Sequence, residues 1–172
     1  MNSIKLTFTG DAFLTKRVLD IYIKGLDDSK YELNDIFANL KSFFELSDLV
    51  VCNLETPLSE NKDDWCKNLY LLTAPKEFAN ALLNNGIKFV TTANNHCLDN
   101  GLDGIDKTIN ILDSINMGHT GTYKTKNDYC FLDIKGIRIS ILSYTYGTNA
   151  FNNNIYLKSK DRQKINMFQN QE

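Results

Sequence analysis

Apolar residues recur along the chain in two alternating patterns, short runs and helical spacings. The short runs predict strands at 4–9, 49–54, 87–92 and 117–120. Apolar positions three or four residues apart predict helices at 12–24, 34–46, 75–84 and 103–115. Strands that alternate with helices indicate a layered α/β fold with a mostly parallel sheet.

The late part of the chain follows a different pattern. Residues 130–134 and 137–144 flank Lys135-Gly136, which has the spacing and turn chemistry of an antiparallel β-hairpin. From residue 146 onward the sequence is polar and rich in asparagine, with a weak helical pattern near its end. We therefore predict one domain over 1–145 and a polar tail over 146–172, either irregular or partly helical.

Composition narrows the class of protein. A length of 172 residues is enough for one domain with a substantial core. The 19 basic and 21 acidic residues form no basic stripe, so nucleic acid is not an expected partner. Four widely spaced cysteines favour free thiols. The sequence shows no signal peptide and no apolar run of the roughly 20 residues that a membrane span needs, which predicts a cytoplasmic protein without a direct membrane span.

Polar side chains with metal-binding chemistry stand at the ends of three predicted strands. They are Asp11, Asn53, Glu55, Asn94, Asn95 and His96. The carboxyl ends of parallel strands share one sheet edge, where α/β proteins place ligands. Carboxylates and amides suit Mg, Mn or Ca, and a histidine extends the choice to Zn or Fe. A metal here could activate water, with His96 as general acid or base oriented by Asp99.

Most of these residues also have a purely structural interpretation. Asp11 and Asn53 could hydrogen-bond their own backbone as turn formers, and Glu55 could be solvated at the start of a loop. Asp99 could cap the helix that follows it. Residues 57–64, which follow Glu55 closely, are polar and turn-like and therefore predict a surface loop.

The two histidines differ in how easily structure alone explains them. His119 lies between Gly118 and Thr120 after the presumed fourth strand and could be a structural histidine or a ligand. Asn95 and His96 stand side by side after a buried strand, and burying such groups unpaired costs roughly 1–3 kcal/mol each. A functional role is therefore favoured for that pair.

Four short motifs stand in order along the chain. They are Phe8–Asp11, Asp48–Leu58, Thr92–Gly101 and Gly118–Gly121. In order and spacing they resemble the bacterial capsule-synthesis CapA family, which includes the PgsA proteins of poly-γ-glutamate capsule synthesis and is similar to calcineurin-like metallophosphoesterases. The resemblance spans residues 4–145 and indicates an N-terminal part of that family's domain.

The resemblance implies a metallophosphoesterase-like α/β sandwich and a divalent metal, which could be Mn, Zn, Fe or Mg. In such a site Asp11 and Asn95 would be metal ligands, and Glu55 would take the place of the bridging carboxylate. His96 would protonate a leaving group with help from Asp99. The residues assigned to substrate binding are Asn53, Asn94 and His119.

Two departures from the family pattern change this expectation. The Asp-x-His of phosphoesterases is here Asp11-Ala12-Phe13, and the later histidine motifs of that fold are absent from the sequence. The resemblance therefore implies a C-terminally truncated sandwich. Either its metal is weakly bound or absent, or other residues or another chain complete the site. A truncated sheet has an unpaired edge, which favours a protein partner or a homo-oligomer.

The sequence leaves three functions open. The first is capsule or poly-γ-glutamate biosynthesis by metal-dependent hydrolysis of a phosphoester or a γ-glutamyl amide, with capsule polymer or a small phosphoester or peptide as substrate. The second is a non-catalytic accessory or polymer-binding protein. The third is an inactive remnant of the family domain. The resemblance implies a place at the cell envelope, whereas the sequence itself predicts the cytoplasm.

Overall fold

The computed structural model describes residues 3–28, 33–68, 70–125, 130–149 and 157–168 of the chain. Its strands are β1 (Leu6–Ala12), β2 (Leu49–Leu54), β3 (Leu58–Ser59), β4 (Ala74–Pro75), β5 (Phe89–Thr91), β6 (Gly118–Thr120), β7 (Phe131–Ile134) and β8 (Ile137–Ser140). Its α-helices are α1 (Lys16–Asp28), α2 (Lys41–Phe44), α3 (Lys76–Asn84), α4 (Gly101–Ser114) and α5 (Ser159–Arg162). Short 3-10 helices cover Leu33–Ile36, Ala38–Leu40 and Lys62–Asp64.

A parallel sheet of four strands forms the centre of the molecule, in the order β1-β2-β5-β6. The late strands β7 and β8 pair antiparallel as a hairpin around Lys135-Gly136. The predicted α/β fold with a mostly parallel sheet and a late hairpin is therefore confirmed. Because all four central strands run the same way, their carboxyl ends meet at one edge of the sheet.

The central sheet is covered on both faces. Val50 and Cys52 of β2 pack into the larger core, which includes apolar residues of α1, α3 and α4. The alternate residues Leu49 and Val51 pack on the other side with Phe89 and with apolar residues of the hairpin. A strand buried on both faces needs apolar side chains at nearly every position, which is why 49–54 is a continuous apolar run.

The helix predicted over 34–46 is wrong in its extent. The segment forms two 3-10 turns and the single turn α2. Its apolar side chains lie 37% to 64% exposed at Ile36, Leu40, Phe43 and Leu46. A helix in a protein is held mainly by burying one apolar face, and this segment buries only scattered residues such as Leu33 and Phe44.

The surface loop predicted over 57–64 is wrong at both ends, because residues 57–59 and Asp64 are buried and residues 60–63 are exposed. Leu58 is fully buried, and β3 pairs parallel with β4. The backbone N–H of Leu58 donates to Thr108 Oγ1 at 2.9 Å, and buried Asp64 accepts from Ser59 Oγ at 2.6 Å and from Lys107 Nζ at 2.8 Å. Although burial opposes it, these hydrogen bonds hold the pKa of Asp64 well below its usual range. Polar residues can enter the interior when every group finds a partner.

Part of the predicted tail packs against the rest of the chain. Ile165 is buried and forms a bridge with Thr122, which follows β6. The helical pattern near the end of the sequence corresponds to the single turn α5. Residues 150–156 and 169–172 of the tail lie outside the described residues, and the boundary at residue 145 stays a prediction.

The helices are all modest in length. The longest in the described ranges, α4, has 14 residues, and α1 has 13. Within these ranges, no helix combines the length and the apolar character needed to cross a membrane.

Candidate functional site

A bulge in β1 places Asp11 opposite Asn53 of β2. Phe8 pairs with Val51, and Asp11 pairs with Asn53, so three steps along β1 match two along β2. The side-chain Nδ2 of Asn53 donates to Asp11 Oδ1 at 2.9 Å. The N–H of Glu55 donates to the carbonyl of Ala12 at 3.0 Å. The two strand ends are therefore held in one register, with Asp11 and Glu55 side by side.

The side chains of Asp11 and Glu55 lie close enough for each to shift the pKa of the other. The amide of Asn53, and then the Glu55 carboxyl, hold the pKa of Asp11 below its usual value. Burial, and then the contact with Asp11 and its charge, raise the pKa of Glu55. The environments thus push the two pKa values apart, with that of Asp11 lowered and that of Glu55 raised.

Asn94 connects the ends of β2 and β5. This side chain is buried, and its Nδ2 donates to Asn53 Oδ1 at 3.1 Å and to the carbonyl of Leu54 at 2.9 Å. Its Oδ1 accepts the N–H of His96 at 3.1 Å. Asn94 and Asn53 therefore position Asp11 and His96, and their direct contact with a substrate stays a prediction.

His96 and Asp99 form a close pair in the turn before α4. His96 Nδ1 lies 2.6 Å from Asp99 Oδ2, and the Asp99 side chain is 0% exposed. The N–H of Leu72 donates to the same Oδ2 at 2.7 Å. The carboxylate of Asp99 is thus directed at the imidazole and at Leu72. The helix α4 begins only at Gly101, so these two hydrogen bonds do not cap that helix. A hydrogen bond at Nδ1 fixes the ring and leaves Nε2 as the nitrogen that can exchange a proton with a ligand.

Asn149 also belongs to this site, although no sequence pattern predicts it. Its N–H donates to the carbonyl of Asn95 at 2.7 Å, and its Nδ2 lies 3.4 Å from His96 Nδ1. In the same segment, Ser143 Oγ accepts the N–H of Ala93 at 3.3 Å. Asn149 lies 53 residues from His96, so no local pattern could have signalled the contact.

Two predicted site residues lie apart from this network. The side chain of Asn95 is exposed beside His96. His119 is on β6, and its Nε2 lies 3.0 Å from Asp113 Oδ1 in the last turn of α4. The structure therefore brings together Asp11, Asn53, Glu55, Asn94, His96 and Asp99, and it leaves His119 elsewhere.

Few side chains at this edge of the sheet could ligate a metal. Across the ranges that the structure describes, no group of three or more His, Cys, Asp or Glu side chains is arranged to hold a metal ion. Asp11 and Glu55 are two neighbouring carboxyl groups, the type of ligand that a hard cation prefers. A dinuclear centre needs more ligands than these residues supply, whereas a single Mg²⁺ or Mn²⁺ can keep several waters.

The comparisons with known proteins agree with the four sequence motifs. The family model described as "Bacterial capsule synthesis protein PGA_cap" matches residues 5–171. A relative is the "PGA biosynthesis protein CapA" of Bacillus subtilis (strain 168), which is 24% identical over 148 residues. That alignment covers 83% of this chain and 37% of the relative, so the chain spans well under half of the relative's length. Since the family model matches nearly the whole sequence, the chain belongs to the family of bacterial capsule synthesis proteins.

Proposed function

We propose that this chain acts in capsule biosynthesis as a metal-dependent hydrolase of a phosphoester or a γ-glutamyl amide bond. The observation that supports this proposal best is the placement of Asp11 and Glu55 at the sheet edge that also carries the His96–Asp99 pair. The proposed substrate is capsule polymer such as poly-γ-glutamate, or a small phosphoester or peptide, and the proposed place of action is the cell envelope.

In this proposal Asp11 and Glu55 would hold one divalent cation, and the exposed amide of Asn95, which lies outside their hydrogen-bonded network, is the further candidate ligand. Such a cation would polarise the scissile group and lower the pKa of a bound water. Glu55 must give up its proton to become a ligand, so its raised pKa makes cation binding stronger as pH rises. The hydrogen bond from Asn53 keeps Asp11 ionised and correctly oriented throughout.

His96 is the proposed general acid. Asp99 accepts from Nδ1 and so directs Nε2 toward the substrate, where it can protonate the leaving group. The backbone N–H of His96 is held by Asn94, which links the imidazole to the strand end that carries Asp11 and Glu55. This rigid connection keeps the acid and the carboxyl pair in one geometry.

The proposal is tested by turnover of two chromogenic substrates, bis(p-nitrophenyl) phosphate and γ-glutamyl-p-nitroanilide, by the purified 172-residue chain. We expect hydrolysis of one of them to require Mn²⁺ or Mg²⁺ and to fall about 100-fold in Asp11→Asn. Asp20→Asn, which removes an exposed carboxylate paired with Lys16, is the control and should keep full activity. Cation-independent turnover, or equal rates in Asp11→Asn, would contradict the proposal.

A second candidate is a non-catalytic polymer-binding protein. It is favoured by the small number of metal-ligating side chains at the described site. This candidate predicts saturable binding of poly-γ-glutamate without turnover of either chromogenic substrate at any cation concentration. The two functions are therefore separated by the same assay, run with a binding measurement alongside it.

A further inference from the structure

Three exposed aromatic rings stack beside the site, and we call Tyr144, Tyr146 and Phe168 the aromatic platform. The Phe168 ring centroid lies 5.3 Å from that of Tyr144 and 4.9 Å from that of Tyr146, with tilted planes. The three residues are 42%, 84% and 52% exposed, respectively. Rings that pack for the core alone would be covered, so this much exposed aromatic surface in one place suggests a ligand.

Backbone hydrogen bonds hold the aromatic platform in place. The N–H of Phe168 donates to the carbonyl of Thr145 at 3.0 Å, and the N–H of Thr145 donates to the carbonyl of Asn166 at 3.0 Å. Buried Asn166 also donates through Nδ2 to the carbonyl of Ser143 at 3.0 Å. The backbone that carries the rings is thus held in place, which lowers the ordering that a ligand would have to impose.

The platform lies next to the proposed hydrolytic cluster. Ser143, directly before Tyr144, contacts the N–H of Ala93, and Asn149 contacts both Asn95 and His96. Tyr146 precedes Asn149 by three residues, so their Cα atoms lie within about 11 Å of each other. A ligand a few rings long could therefore touch the platform and His96 together.

The charge pattern indicates which ligand fits. Between Arg138 and Lys158 the sequence contains no Asp, Glu, Lys or Arg, although 23% of the whole chain is charged. Residues 143–149 offer two tyrosine rings, hydroxyls and the amide of Asn149 instead. A phosphate or a polyanion is usually met by Arg or Lys. An uncharged ring with an apolar face and polar edges matches this segment better, because aromatic faces pack on the former and amides bond to the latter.

We propose that the aromatic platform is a subsite for a neutral pyranose ring of a saccharide ligand. The ring stacks on Tyr146 and Phe168, and its hydroxyls bond to the hydroxyls of Tyr144 and Tyr146 and to the amide of Asn149. The proposed function is needed only for the claim that a bond is hydrolysed near this subsite. Saccharide binding itself needs neither the cation nor turnover.

The test is a titration of the 172-residue chain with a neutral N-acetylglucosamine tetramer, followed by NMR in the absence of divalent cations. We expect saturable shifts in the wild type, about tenfold weaker binding in Tyr146→Ala, and binding within about threefold of wild type in Tyr146→Phe. Tyr146 is highly exposed, so both variants should fold. Phe131→Ala, which removes an exposed ring on the hairpin, is the matched control and should bind like the wild type.

Two results would overturn the proposal. One is the absence of saturable shifts in the wild type up to about 10 mM tetramer, a concentration that captures even weak binding. The other is a loss in Tyr146→Ala of binding to ATP or to poly-γ-glutamate oligomers instead, which would assign the platform to a nucleobase or a polyanion. Failure of the hydrolysis assay leaves this titration unaffected, so the two proposals fail separately.

Discussion

The two histidines of this chain each pair with an aspartate, yet the two pairs have different surroundings. His96 lies 2.6 Å from Asp99, whose side chain is fully buried and also accepts the N–H of Leu72. His119 lies 3.0 Å from Asp113, whose side chain is 53% exposed and also bonds Lys124 at 3.0 Å. In the first pair the carboxylate is committed to fixing the imidazole, whereas in the second it is shared with solvent and a lysine.

The position of each pair in the fold explains the contrast. His96 stands at the carboxyl edge of the sheet, two residues after Asn94. It lies close enough to Glu55 for its charge to act on the pKa of that carboxyl group. His119 lies within β6 and faces the C-terminal turn of α4. A His–Asp contact alone therefore does not mark a reactive site. The burial of the carboxylate and the groups around the imidazole decide what the pair can do.

The largest expected difference between the pairs is in turnover. We expect His96→Gln to lower kcat/KM for the hydrolysed substrate about 100-fold or more, because it removes the proposed acid. His119→Gln should stay within about threefold of the wild type, because its ring contacts no member of the cluster described above. Steady-state kinetics on both variants checks this, and equal losses would remove the distinction between the two pairs.

The next difference is in stability, measured by urea unfolding. Asp99→Asn should cost about 1–3 kcal/mol, because an amide in the buried position cannot satisfy both Leu72 N–H and His96 in the same way. Asp113→Asn changes an exposed contact and should cost less than about 0.5 kcal/mol. If Asp113→Asn proves the more damaging of the two, burial does not explain how the pairs differ.

The smallest expected effect concerns the carboxyl pair beside His96. Because the folded pKa of Glu55 is raised, its favourable contribution is fully present below the unfolded pKa and is lost as pH rises through the folded pKa. At pH 7 without divalent cations, Glu55→Gln should therefore raise Tm, by about 1–3 °C for a chain of this size.

The control for that measurement is Glu60→Gln, which alters an exposed glutamate paired with Lys76. It should leave Tm unchanged or slightly lower. The gain in Glu55→Gln should also shrink as pH falls below the unfolded pKa of a glutamate, where the protonated form predominates in both states. A gain that does not depend on pH would mean that the ionisation of buried Glu55 beside Asp11 is not its cause.

The sequence predicted the parts of the site that depend on strand ends. The continuous apolar run of β2 located Asn53 and Glu55 correctly, because a strand buried on both faces leaves little ambiguity about where it lies. Parallel pairing then implied that Asp11 and Asn94 would meet them, and the structure brings these residues together. Periodicity and topology were sufficient here because strand pairing repeats regularly.

The parts that the sequence did not predict depend on single long-range partners. Leu72 N–H reaches Asp99 across 27 residues, and a backbone group carries no sequence signature. Ser59 and Asp64 looked solvent-exposed by composition, but they are buried because Lys107 completes their hydrogen bonds. Hydropathy counts side chains and cannot report whether a buried polar group will find its partner.

The central claim is that the carboxyl edge of the sheet binds one divalent cation through Asp11 and Glu55. Isothermal titration of the wild-type chain with Mn²⁺ tests it most directly. We predict one saturable site per chain. Its affinity should increase as pH rises through the raised pKa of Glu55, and binding should be lost in Asp11→Asn. No saturable binding, or binding that is unchanged in Asp11→Asn, would contradict it.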